Sequence, residues 1–105
     1  MTRIKVPSTI QVGGHTYSIV LSESIYEQGD DARVTHLAQQ IEISVKLPAS
    51  RRLEALIHEC LHAINNIYCH RSLTEQEIEG VAEGLTQILS QLGVTLNWVD
   101  IKLSK

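Results

Sequence analysis

Along the first part of the chain, to about residue 46, apolar and polar residues alternate with the period of a strand, and beyond it the period becomes helical. Thr9-Ile10-Gln11-Val12 runs into Gly13-Gly14, after which His15-Thr16-Tyr17-Ser18-Ile19-Val20-Leu21 resumes with β-branched and aromatic residues. That spacing predicts a hairpin. Glu27 to Asp31 is the next turn-rich stretch. Arg33 to Leu37 and Gln40 to Val45 read as two more strands, the second half-buried because its apolar residues alternate with polar ones. The expectation is a small, mostly antiparallel sheet of about four strands.

Two helices follow. Leu53, Leu56, Ile57, Cys60, Leu61, Ile64 and Ile67 form an apolar stripe at helical spacing, with Ser50 as the predicted N-cap and Pro48 upstream of it, so a helix is expected over about 51–68. Thr74 and Glu77 make a capping box, with Leu73 and Ile78 as its hydrophobic staple. A second helix is therefore expected over about 75–92, with Ile78, Val81, Ala82, Leu85, Ile88, Leu89 and Leu92 as its stripe and Gly93 as its stop. Gly80 and Gly84 weaken that helix and predict a close approach of another backbone, the obvious neighbour being the first helix. Residues 94–105 read as an added strand that covers the sheet or meets a partner.

Composition narrows the function classes. A chain of 105 residues is a single domain, 1–105, and with no Phe and one Trp its core must be aliphatic. The formal net charge of -3 supplies no basic field, so neither nucleic acid nor an anionic membrane is an expected partner. The start, Met1-Thr2-Arg3-Ile4-Lys5-Val6-Pro7, lacks the apolar run of a signal peptide, and no stretch approaches membrane-spanning length. A cytoplasmic protein is expected. Its two cysteines, Cys60 and Cys69, then make no disulfide framework, and Cys60 is a small core residue.

The chemistry sits in the first helix, as His58-Glu59-Cys60-Leu61-His62, an H-E-x-x-H. Residues four apart on a helix share a face, so both imidazoles can close on one metal ion, and Zn2+ accepts neutral imidazole nitrogens in a tetrahedral site. Glu59, beside the pair, can act as general base on a metal-activated water. A catalytic zinc takes three protein ligands. In the H-E-x-x-H-x-x-G-x-x-H pattern the third is a histidine, but here Asn65 and Tyr68 stand at the corresponding positions. A carboxylate from the second helix is the remaining route, with Glu75, Glu77, Glu79 and Glu83 on offer. Glu77 is committed to the capping box and Glu83 points nearly opposite the stripe. Glu79, on the stripe's flank and well inside the helix, is the expected ligand, with Glu75 as the alternative or as support behind it. Cys69 and His70 offer a further route through the connecting loop. Tyr68, His70 and His36 are candidates for stabilising an oxyanion, and the strand Gln40 to Val45 could receive an extended peptide by β-augmentation.

Leu56-Ile57-His58-Glu59-Cys60-Leu61-His62-Ala63-Ile64, followed by Glu75, Ile78-Glu79, Val81-Ala82, Gly84-Leu85 and Ile88-Leu89, resembles the small phage and prophage H-E-x-x-H proteins of the gluzincin type, distant relatives of the ImmA/IrrE-like metallopeptidases. The resemblance spans roughly residues 40–92 and lies in the two helices. It implies an α+β, minimal zincin-like fold, in which a sheet packs on the active-site helix and a following helix supplies a glutamate. It implies a zinc metallopeptidase acting on a peptide or protein, with His58 and His62 as ligands, Glu59 as general base and Glu79 as third ligand. The alternative expectation is a metal-binding regulatory or interaction protein of phage or prophage origin, without turnover.

Overall fold

In the computed structural model, which describes residues 2–104, the chain runs β1 (Thr2–Lys5), β2 (Thr9–Val12), β3 (His15–Ser22), a 3-10 turn (Ile25–Gln28), β4 (Ala32–Thr35), β5 (Gln40–Ser44), α1 (Ala49–Tyr68), α2 (Glu75–Gln91), β6 (Val94–Asn97) and β7 (Leu103–Ser104). The architecture is α+β, with a mixed sheet and two helices. The main sheet has the order β2-β3-β5-β4, and β7 adds to β3 beyond the end of β2. The hairpin at Gly13-Gly14 forms as its spacing requires, pairing Val12 with His15 and Thr9 with Ser18.

The sheet is not mostly antiparallel. β2–β3 and β4–β5 are, but β3–β5 and β3–β7 pair in parallel, and β1 forms a separate parallel pair with β6. Burial explains where the strands go. Ile41 and Ile43 of β5 are fully buried, so β5 takes the centre beside β3, whose Tyr17 and Ile19 face the same core. β4 carries Arg33, which pairs with Glu42 across the strands at 2.9 Å, and it takes the edge. The segment Gln40 to Val45 is thus held by a strand on each side and has no free edge for a peptide. Among the described residues, β4 pairs only with β5.

α1 lies on the apolar face of the sheet through Ala55, Leu56, Cys60, Ala63 and Ile67. It begins earlier than Ser50 implies: Pro48 occupies the N-cap position with extended backbone and Ala49 is the first helical residue. Proline's fixed φ suits a helix start and its missing N–H costs nothing there. Arg52 ties this start to the sheet by donating to the carbonyls of Leu47 at 3.1 Å and Val45 at 3.0 Å. At the other end of α1, Ile67 meets the β2–β3 turn. Gly13 has φ +63°, and a Cβ built there would lie 2.7 Å from Ile67 Cγ2. Gly13→Ala therefore combines a left-handed backbone that Ala disfavours with a steric clash, and is expected to cost about 2 kcal/mol, read as a thermal midpoint lowered by roughly 10 °C.

α2 starts where the capping box places it. Glu77 N–H donates to Thr74 Oγ1 at 3.0 Å and Thr74 N–H to Glu77 Oε1 at 2.8 Å. It buries Ile78 and Ala82, while Val81, Leu85, Ile88 and Leu92 remain at the surface. Gly80 and Gly84 also face open space, with no heavy atom within 4 Å of an added Cβ, so no backbone approaches there. α2 meets α1 along the Ile78 and Ala82 side instead. The C-terminal stretch is two short strands, not one: β6 pairs with β1, and after the turn around Trp98 the buried Ile101 leads into β7 on β3.

Candidate metal centre

His58 and His62 stand one turn apart on the flank of α1 that faces the start of α2, with ring centroids 4.9 Å apart. Their Nε2 atoms are 3.2 Å from each other. Glu75, the first residue of α2, reaches both: Oε1 is 2.9 Å from His58 Nε2 and Oε2 is 3.0 Å from His62 Nε2. Two imidazole nitrogens and a carboxylate thus converge on one point. Four tetrahedral donors about 2.05 Å from a zinc ion would be about 3.3 Å apart, so a cation fits if the three groups open by a few tenths of an ångström. The donor set, two imidazoles and one carboxylate, suits a first-row divalent ion. His58, His62 and Glu75 form the one such cluster among the described residues.

Glu79 is not part of it. One turn farther along α2, it lines a cleft of about 230 Å³ beside the cluster, together with Asp31, Arg51 and Glu54. The short connection from Cys69 to Thr74 brings the N-terminal end of α2, rather than its middle, to the histidines. Glu77 is held by the capping box, Glu83 is exposed, and Cys69 and His70 lie outside the cluster.

Asn65 sets where α2 begins. Only 8% exposed, it donates from Nδ2 to the Leu73 carbonyl at 3.3 Å and accepts the Leu73 N–H on Oδ1 at 3.0 Å. Leu73 is two residues before Glu75, so this two-way bond fixes the register in which the carboxylate meets the imidazoles. The sequence offered one signal, a polar residue three positions after His62 on the inner side of a helix. Asn65→Ala removes both bonds and leaves the Leu73 groups to find other partners, at an expected cost of about 2 kcal/mol. Metal affinity, measured by competition with a chelating dye, should fall roughly 10-fold or more, as it does when a ligand's supporting group is lost.

Glu59 is also only 8% exposed and lies against β4. Burial pushes its carboxyl up to about 7, against the opposing pull of His58 and the Val34 backbone, with Glu75 and Asp30 adding to the rise. Burial likewise pushes the neighbouring Cys60 thiol up to about 11, with Glu59 adding to the effect, which keeps it an inert core residue. Both cysteines are free.

Of the three residues considered for an oxyanion, His36 alone lies at the cluster. It follows β4 and lines one cleft with His58, Glu59, His62 and Glu75. Its pKa is held below the usual histidine value by burial, then by His62 and Arg71. Tyr17 Oη is 3.3 Å from its Nδ1. Tyr68 is largely exposed near Gly13, and His70 is exposed. Arg71, which sequence reasoning did not single out, lies in the loop between the helices and lines a hollow next to the cluster with His36 and His62.

No protein-family model, no curated protein sequence and no solved structure matches the chain. Among the described residues no helix is long and apolar enough to cross a membrane.

Proposed function

We propose that the chain is a small zinc-dependent peptidase of zincin-like build, in which His58, His62 and Glu75 hold the ion and Glu59 is the general base. The observation that carries this reading is the convergence of the His58, His62 and Glu75 donors beside a buried carboxylate that is not one of them. A purely structural zinc site would have four protein ligands and no use for Glu59. Zinc bound there supplies Lewis acidity, polarising a carbonyl oxygen and making water acidic enough to ionise near neutral pH.

The chain's own residues supply the rest. Glu59 accepts the proton that water gives up as it attacks an amide carbon, and returns that proton to the leaving nitrogen. Its burial keeps bulk water from competing for the same proton. His36 donates to the carbonyl oxygen from the ring nitrogen that Tyr17 does not face. The edge strand β4, which among the described residues pairs only with β5, borders the cleft, so an extended peptide can bind beside it as an added strand.

The test is hydrolysis of a mixed peptide library by protein purified without added metal and then supplied with one equivalent of zinc. Turnover that needs zinc and disappears in Glu59→Gln, while zinc remains bound, supports the peptidase. Stoichiometric zinc with no turnover would leave a metal-binding regulatory or interaction protein.

A further inference from the structure

The cleft that contains the metal cluster does not end at His62. It continues past His36 and His62 into a second hollow of about 400 Å³, whose remaining lining residues are Asn65, Asn66 and Arg71. Among the described residues no carboxylate lines this hollow, and Arg71 and His62 both act electrostatically on His36 from it. The opposite end of the cleft has the reverse character. There Asp31, Glu54 and Glu79 join Glu59 and Glu75 around a single cation, Arg51. An anionic group on a bound molecule is repelled from that end and accepted at the other.

Arg71 is held in place by more than one bond. Its N–H donates to the Asn65 carbonyl at 2.9 Å and its Nε to Asn66 Oδ1 at 3.0 Å, and among the described residues the two terminal nitrogens of the guanidinium have no hydrogen-bond partner. Its φ of +60°, directly after His70 at +53°, is a left-handed conformation that neither side chain favours. Such a conformation costs on the order of 1 kcal/mol or more per residue and persists because the surrounding bonds enforce it. A guanidinium with two free donors in a fixed plane matches a carboxylate in bidentate geometry.

We propose that Arg71, supported by Asn66 and bordered by His36, is an anion subsite that takes a carboxylate of the substrate next to the bond placed at the metal cluster. This rests on the peptidase reading for the word substrate, but not for the binding of the anion. The carboxylate could be the free C-terminus of a peptide or an acidic side chain.

Binding is read first without turnover, by following the backbone amides and the Arg71 Nε–H by NMR as N-acetylglycine or N-acetylglycinamide is added to the metal-free full chain. The expected result is saturable shifts centred on Arg71, Asn66 and His36 with the carboxylate and none with the amide. Arg71→Asn keeps a residue that tolerates left-handed backbone but removes the charge, and should weaken the carboxylate at least 10-fold. Arg71→Lys, which keeps charge but not the fork, should fall between. Equal binding by wild type and Arg71→Asn, or no carboxylate binding at all, overturns the subsite.

The source is read with three peptides of one sequence on the zinc-loaded protein: free C-terminus, amidated C-terminus, and amidated with an internal Glu. A preference of 10-fold or more in kcat/KM for the first or for the third, carried by KM and abolished in Arg71→Asn, identifies which carboxylate is bound. A preference that survives Arg71→Asn overturns the assignment. If no peptide is cleaved, the peptidase reading fails and the NMR result still decides the subsite.

Discussion

Glu75→Ala should abolish stoichiometric zinc binding, whereas Glu79→Ala should leave it intact. The two residues are one helical turn apart on α2, and only Glu75 touches both imidazoles. Metal sites of this kind are worth about 10–16 kcal/mol in total, so one of three protein ligands carries about 3–5 kcal/mol, and its loss weakens binding roughly 100-fold or more. Glu75→Ala also leaves two imidazole nitrogens 3.2 Å apart with no carboxylate to share. Competition against a chelating dye, with metal analysis after gel filtration, reads both variants. Zinc retained by Glu75→Ala and lost by Glu79→Ala would show that α2 slides by one turn when the ion binds.

Glu59→Gln should make the metal-free protein more stable, increasingly so as the pH is raised. In the folded chain burial raises this carboxyl from an ordinary value near 4.5 to about 7. The folded state therefore keeps a proton that the unfolded state releases, and folding stability falls as pH rises between those two values. Below about 4.5 both states are protonated and nothing is lost. Above about 7 the full penalty applies, up to about 3 kcal/mol for a shift of this size. Gln is neutral throughout and avoids it. Urea unfolding of the two metal-free proteins should give nearly equal midpoints at pH 4.5 and a clearly higher midpoint for Glu59→Gln at pH 8. A constant difference between the two pH values would mean that Glu59 is not the group being desolvated. The same substitution removes the proposed base, so stability and turnover should move in opposite directions, as is common where a buried charge is kept for chemistry.

The helices were the most legible part of the chain. The capping box at Thr74 and Glu77 fixed the start of α2 to the residue, and the four-residue spacing of His58 and His62 put both on one face. The N-cap of α1 was misplaced because Ser50 is the better capping residue in isolation, while proline's fixed φ and the bonds from Arg52 start the helix at Ala49. Strand positions could be read from alternation, but pairing could not. Nothing in Gln40 to Val45 says that it lies between β3 and β4, because that depends on how completely Ile41 and Ile43 are covered. That Glu75 rather than Glu79 lies against the histidines was not legible for a related reason. A position inside α2 looks rigid on a helical wheel, but which turn of α2 reaches α1 is set by Asn65 and the short loop, and that contact crosses between elements. Gly80 and Gly84 show the same limit, since their spacing could not reveal whether their face is covered or open.

The parallel pairing of Thr2 with Val94, and of Leu21 with Leu103, also bears on how the chain acquires its structure. Both joins link residues far apart in sequence, and closing such loops is slow because the entropy of ordering the intervening chain is lost before any contact compensates for it. The β2–β3 hairpin and α1 can form from local contacts. β6 follows directly from the end of α2, so the helix that carries Glu75 is anchored at its far end only when β1 and β6 meet. Zinc capture during refolding should therefore trail the recovery of helical signal, and its rate should follow the closing of β1 on β6.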